Sequence, residues 1–136
     1  MNPRFLTVED VVEIHIDQID AFSGQHGVRD MAVVESAVNQ PRAMFVGQYL
    51  HEDLFDMAAA YMVSLVNGLS FHDGNHRIAL AAAMVFLEIN GITLDESLTD
   101  RLFQITKDAA DQDKGKRLSR RQVADLLRDL SRNSPS

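Results

Sequence analysis

At 136 residues, 46% hydrophobic and 24% charged, the chain has the size and balance of one soluble domain with one core, spanning 1–136. The absence of cysteine excludes a disulfide framework, thiolate metal ligands and a thiol nucleophile. A net charge of −7 argues against general affinity for nucleic acid or an anionic membrane surface.

No apolar run reaches the ~20 residues that a membrane span needs. Arg4, Glu9, Asp10, Glu13 and Asp17 break up the first stretch, so no signal peptide is expected and the predicted location is cytoplasmic. Thr7 reads as an N-cap, with Glu9 and Asp10 suited to the positive end of a helix. Val8, Val11, Val12, His15, Ile19 and Phe22 then share one face at helical spacing, and Ser23-Gly24 stops the helix. His15 lies on that apolar stripe and is expected to be a core-edge histidine hydrogen-bonded to a neighbour. Asp30 caps a short helix over 31–39, which Pro41 ends. Residues 42–49 show no period and predict an irregular connection docked onto the body by Phe45 and Tyr49.

Residues 51–67 are apolar nearly all round, which predicts a buried helix with Gly68 as its C′ residue. A second such helix starts at Gly74 or Asn75 and runs to Asn90 before Gly91. Its alanines permit close approach, and the short connection makes the two helices antiparallel neighbours. A helix over 96–110 and a solvated loop over 111–116 follow. Ser119 and Gln122 form a capping box for a last helix, whose Val123, Leu126, Leu127 and Leu130 share a face. Residues 131–136 are expected to fray. No segment alternates as a strand. The predicted fold is all-α, a bundle with two buried antiparallel helices at its centre.

Between those two helices the chain turns polar, at Leu69-Ser70-Phe71-His72-Asp73-Gly74-Asn75-His76-Arg77. A helix opening at Gly74 or Asn75 offers free N–H groups and the positive end of its dipole to an anion such as phosphate. Glycine lets the backbone approach closely, Asp73 is a hard oxygen ligand suited to Mg²⁺, and Arg77 can clamp a second phosphate oxygen. His72 or His76 can carry a proton. The same residues equally suit a plain capped helix with a salt-bridged arginine. A zinc site on His72 and His76 is a further alternative, but it needs both on one helical turn and a third ligand, and none is obvious nearby.

Residues 71–77 resemble the signature of Fic/Doc domains, H-x-F-x-D/N-G/A-N-x-R, and particularly its death-on-curing (Doc) branch. Arg29-Asp30 with Val34-Glu35-Ser36-Ala37 resembles the Doc-type RD…LESA segment. Residues 58–65, and Ala79-Leu80-Ala81 with 86–91, resemble the helices on either side of the motif. The resemblance implies a compact helical bundle and a transferase that uses ATP with Mg²⁺. Fic proteins transfer a nucleotidyl group to a protein hydroxyl, whereas Doc toxins phosphorylate a threonine of elongation factor Tu. It implies that Asp73 holds Mg²⁺, that Gly74, Asn75, His76 and Arg77 bind the nucleotide phosphates, and that Phe71 anchors the loop. Asp73 and Arg77 would then form the catalytic set together with position 69.

At that position the family's general base, a histidine, is replaced by Leu69. His76 stands where Fic enzymes carry a second glycine and Doc proteins usually have lysine, and Leu80 stands where the longer Fic motif has a second arginine. Those two differences favour phosphate transfer over nucleotidyl transfer. Leu69 opens a different alternative, a Fic/Doc-fold module that binds protein without catalysing. The family's self-inhibitory pattern, S/T-x-x-x-E-G/N, is absent, so a Doc-like toxin of this sequence would need a separate antitoxin, a disordered segment folding as a helix into a groove.

Overall fold

Thr7 opens the first helix by a capping box: its hydroxyl accepts the Asp10 N–H at 3.1 Å, and the Asp10 carboxylate accepts the Thr7 N–H at 2.8 Å. This helix, α1 (Val8–Phe22), buries Val11, His15 and Ile19. Asp30 caps α2 (Met31–Asn39) by accepting the Ala32 N–H. The computed structural model describes residues 2–133, and four further helices follow in it: α3 (Leu54–Gly68), α4 (Asn75–Ile89), α5 (Thr99–Ala109) and α6 (Arg120–Asn133).

The centre is the α3–α4 pair. Ala58, Ala59 and Ala60 on α3 and Ala79, Ala82 and Ala83 on α4 are fully buried, and these small side chains let the two backbones approach. α2 and α6 pack on α3, while α1 and α5 pack on α4. Leu65, Ile78, Phe86, Ile105 and Leu127 fill the space between them. The N-terminal segment is pinned to this core. The buried Tyr61 hydroxyl accepts the Leu6 N–H at 2.9 Å, and burial pushes that phenol up to about 12. Asn90 exchanges two hydrogen bonds with the Arg4 backbone. No described helix is long and apolar enough to cross a membrane.

The all-α expectation holds with one small exception. Within 42–49 the chain forms a hairpin, β1 (Met44–Phe45) with β2 (Gln48–Tyr49). Its turn is Val46-Gly47, with φ of 52° and 75°, the left-handed pair that tight hairpins favour. Tyr49 does dock, against Phe5 at 5.7 Å, but Phe45 is 72% exposed and does not. The last helix also runs further than expected. Residues 131–133 are helical, and 134–136 lie outside the described residues.

Gly68 is not the residue that stops α3. It is the last helical residue, and the left-handed cap is Leu69, at φ 50° and ψ 50°. Gly68 serves a different need: a Cβ there would stand 2.3 Å from Val33 Cγ1, so glycine is what lets α2 lie against the end of α3. The chain thus uses a leucine for a conformation that glycine adopts more cheaply, because the glycine is committed one residue earlier.

Candidate functional site

The six residues from Leu69 to Gly74 form a turn stitched to the loop that joins α1 to α2. The Ser70 carbonyl accepts the N–H groups of Arg29 and Asp30, at 2.8 and 3.2 Å, and His72 N–H donates to the Gly27 carbonyl at 3.1 Å. Val28 and Phe71 form an isolated antiparallel bridge between these bonds. Phe71 is buried, as the anchor role requires, and its ring stacks on His15 at 4.6 Å and 10°. Asn75 closes the turn from the other side. Its Oδ1 accepts the Phe71 N–H at 3.0 Å, and its Nδ2 donates to the Phe71 carbonyl at 2.9 Å. Its amide is therefore spent on the turn, and what it offers an anion is its backbone N–H. Leu69 is half exposed.

Gly74, the residue before α4, stands at φ 73°, and a Cβ there would come to 3.0 Å from Ile19 Cδ1, so both conformation and space call for glycine. No side chain caps this helix, which leaves its first-turn N–H groups available. Gly74, Asn75, His76 and Arg77 line a cleft of about 190 Å³ together with Gln18, Ile19, Phe22, Ser23 and Phe103. A larger groove of about 330 Å³ continues from it past Leu80, Ala81, Thr99 and Asp100.

Arg77 makes cation–π contacts with two rings, with its Cζ 4.1 Å from the Phe22 centroid and 5.0 Å from that of Phe103. No carboxylate of the described residues lies within ion-pair distance of it, which removes the plain salt-bridged arginine as its explanation. Lys107 stands 4.9 Å from the Phe103 ring on its own account. His76 is pushed below its usual value by desolvation, and Lys107 adds to the effect. Arg77 brings a positive charge to the cleft lining, while Asp100 lines the groove that continues from it.

Asp73 precedes Gly74 but is not among the residues that line the cleft; its side chain lies against Gly24, and one carboxylate oxygen accepts the Gln25 N–H at 2.8 Å. The other takes no hydrogen bond from the described residues. A single carboxylate with a free oxygen fits Mg²⁺, which binds through one or two carboxylates, waters and substrate phosphates rather than through a protein cage. Zinc is a poorer fit: His72 precedes α4 and packs against Gly27, and no group of three metal-ligating side chains occurs among the described residues.

Two features escaped the sequence. Phe22 and Phe103 come to Arg77 from different helices, and no local pattern links them. Ser70 is fully buried, and its hydroxyl has no partner among the described residues.

His15 matches its expectation and adds to it. It is 3% exposed, its Nε2 accepts the Gly27 N–H at 3.0 Å, and its Nδ1 lies 3.3 Å from the Val12 carbonyl. This pattern fixes a neutral ring protonated on Nδ1. Desolvation holds its pKa below the ordinary 6.5, a nearby His26 adds to this, and the Val12 carbonyl and Asp20 oppose it. Above pH 6.5 neither the folded nor the unfolded chain binds the proton, so the stabilisation is complete. As pH falls below 6.5 the unfolded chain takes up a proton that the folded chain refuses, and stability declines until the folded pKa is reached. His51 and His76 are also lowered and act in the same direction. Urea midpoints are therefore expected to fall from pH 7.5 to 5.5, with a shallower fall in His15→Gln and an NMR titration midpoint for His15 below 6.5. An equal slope in wild type and variant would contradict the assignment.

Fold and site together define a class, a helical domain whose two central buried helices hold a polar turn between them. Residues 5–87 match the Fic/DOC family. Protein kinase doc of Escherichia phage P1 is 31% identical over 127 residues, covering 93% of this chain and 95% of that protein. Toxin Doc of Mycolicibacterium smegmatis is 38% identical over 94 residues, covering 68% of this chain and 72% of that one. The chain belongs to the Fic/Doc family.

Proposed function

We propose that this chain is a Doc-type toxin domain that binds ATP with Mg²⁺ at the 73–77 turn. It is built to transfer phosphate to a hydroxyl of a translation factor, elongation factor Tu, in the cytoplasm. The observation that carries this reading is one cleft lined by the uncapped first turn of α4 and the unpaired Arg77. The names of the two relatives, a toxin and a protein kinase, support it. Asp73 would hold Mg²⁺, which when bound neutralises charge on the transferring phosphates. The N–H groups of Gly74, Asn75 and His76 would cradle phosphate oxygens, and Arg77 would pair with one edge of them.

A second reading is favoured by one residue. Leu69 accepts no proton, so a domain that binds nucleotide or protein without transfer is the natural alternative. Under the toxin reading the partner is an antitoxin, whose amphipathic helix would lie in the groove beside Phe22, Leu80 and Phe103 and cover the phosphate site.

ATP with Mg²⁺ is expected to raise the melting temperature of the wild type. Arg77→Ala is expected to weaken binding by roughly 10–100-fold, the loss of a charge-assisted pair. No shift in the wild type, or equal affinity in Arg77→Ala, would remove the phosphate reading.

A further inference from the structure

We propose that Phe22 and Phe103 are positioning residues that hold the Arg77 guanidinium flat, so that its N–H edge meets the anion in the cleft. The inference rests on the phosphate reading above and says how the arginine of that site is kept in place.

An arginine without a carboxylate partner ordinarily samples many rotamers, and each bound anion must first arrest it. Here three helices converge to prevent that. Phe22 ends α1, Arg77 stands in the first turns of α4, and Phe103 comes from α5. The guanidinium carbon lies 4.1 Å over one ring and 5.0 Å over the other. The faces of a guanidinium are weakly hydrated, so stacking them costs little solvation, and all five N–H donors lie in the plane and stay free. An oxyanion binds along that plane as a two-point fork. Phe22 is 53% exposed, so its ring is not held by burial in the core. Lys107 beside the Phe103 ring adds positive charge and favours an anion as the ligand that the fork awaits.

The clamp can be tested without and with ligand. In the wild type without ligand, ring currents should shift the Arg77 Nε–H and Hδ resonances upfield. In the double variant Phe22→Leu, Phe103→Leu they should return to ordinary values; unshifted wild-type resonances would overturn the proposal. With ATP and Mg²⁺ as probe, each Phe→Leu change should weaken binding roughly three- to tenfold, and Phe→Tyr, which keeps the ring, should restore it. In an Arg77→Ala background the same Phe→Leu changes should have no further effect. If Arg77→Ala weakens binding but the Phe→Leu changes do not, or if their effect persists in that background, the clamp is wrong while the phosphate site stands. If Arg77→Ala leaves binding intact, the phosphate reading itself has failed. Circular dichroism melts of each variant confirm that a loss of binding is not a loss of fold.

Discussion

Leu69→His is expected to raise ATP-dependent phosphate transfer to elongation factor Tu by about 10²–10⁴-fold, the range that a general base contributes. The frame around position 69 supports the expectation. Ser70 is tied by its carbonyl to two N–H groups of the preceding loop, and Phe71 is buried one residue on, so a new side chain at 69 inherits a fixed backbone. That backbone is left-handed, at φ 50°, a region in which histidine is found more often than most non-glycine residues. The change should therefore not cost stability. Leu69 is 49% exposed, so its side chain reaches solvent, where a target hydroxyl can approach. His72 stands three residues further along the turn, with its ring against Gly27. The assay is transfer of label from the γ-phosphate of ATP to the purified factor, with Leu69→Ala as control. Label arriving from the α-phosphate instead would identify nucleotidyl transfer. No label, with ATP still bound, would favour the non-catalytic module.

The helices were legible because their signals are local. Thr7, Asp30 and Ser119 with Gln122 cap where their side chains predict, and the two apolar runs are the buried pair. The turn's place between that pair was legible for the same reason. What escaped depended on contacts between distant segments. The role of Gly68 is set by Val33, not by the helix it ends, and this displaced the left-handed cap onto Leu69. The hairpin over 42–49 is two residues per strand, too short to show alternation. Residues 69–77 read as a polar turn, but their shape comes from Gly27, Arg29 and Asp30, which donate and accept the bonds that hold it. Asn75 is the clearest instance of a role that no local pattern shows, since its amide is bonded to the Phe71 backbone.

Asn75→Ala is expected to destabilise the fold by about 2–4 kcal/mol, because it leaves two backbone groups without partners at about 1–3 kcal/mol each. The neighbouring bridge to the α1–α2 loop uses the Ser70 carbonyl and the His72 N–H. The N–H and carbonyl of Phe71 itself are met by Asn75 alone among the described residues. Only one orientation of the amide satisfies both, with Oδ1 toward the N–H and Nδ2 toward the carbonyl. Asn75→Asp should be nearly as damaging: the carboxylate keeps the Phe71 N–H but turns an acceptor against the Phe71 carbonyl, and it brings negative charge to a site suited to anions. Urea denaturation gives the stability, and hydrogen exchange at the Phe71 amide gives the local effect, with faster exchange expected in both variants. If Asn75→Ala kept wild-type stability and exchange and lost only nucleotide binding, its amide would be a direct ligand and not a clamp. If both fall together, as these hydrogen bonds require, the asparagine acts on any ligand through the shape of the turn.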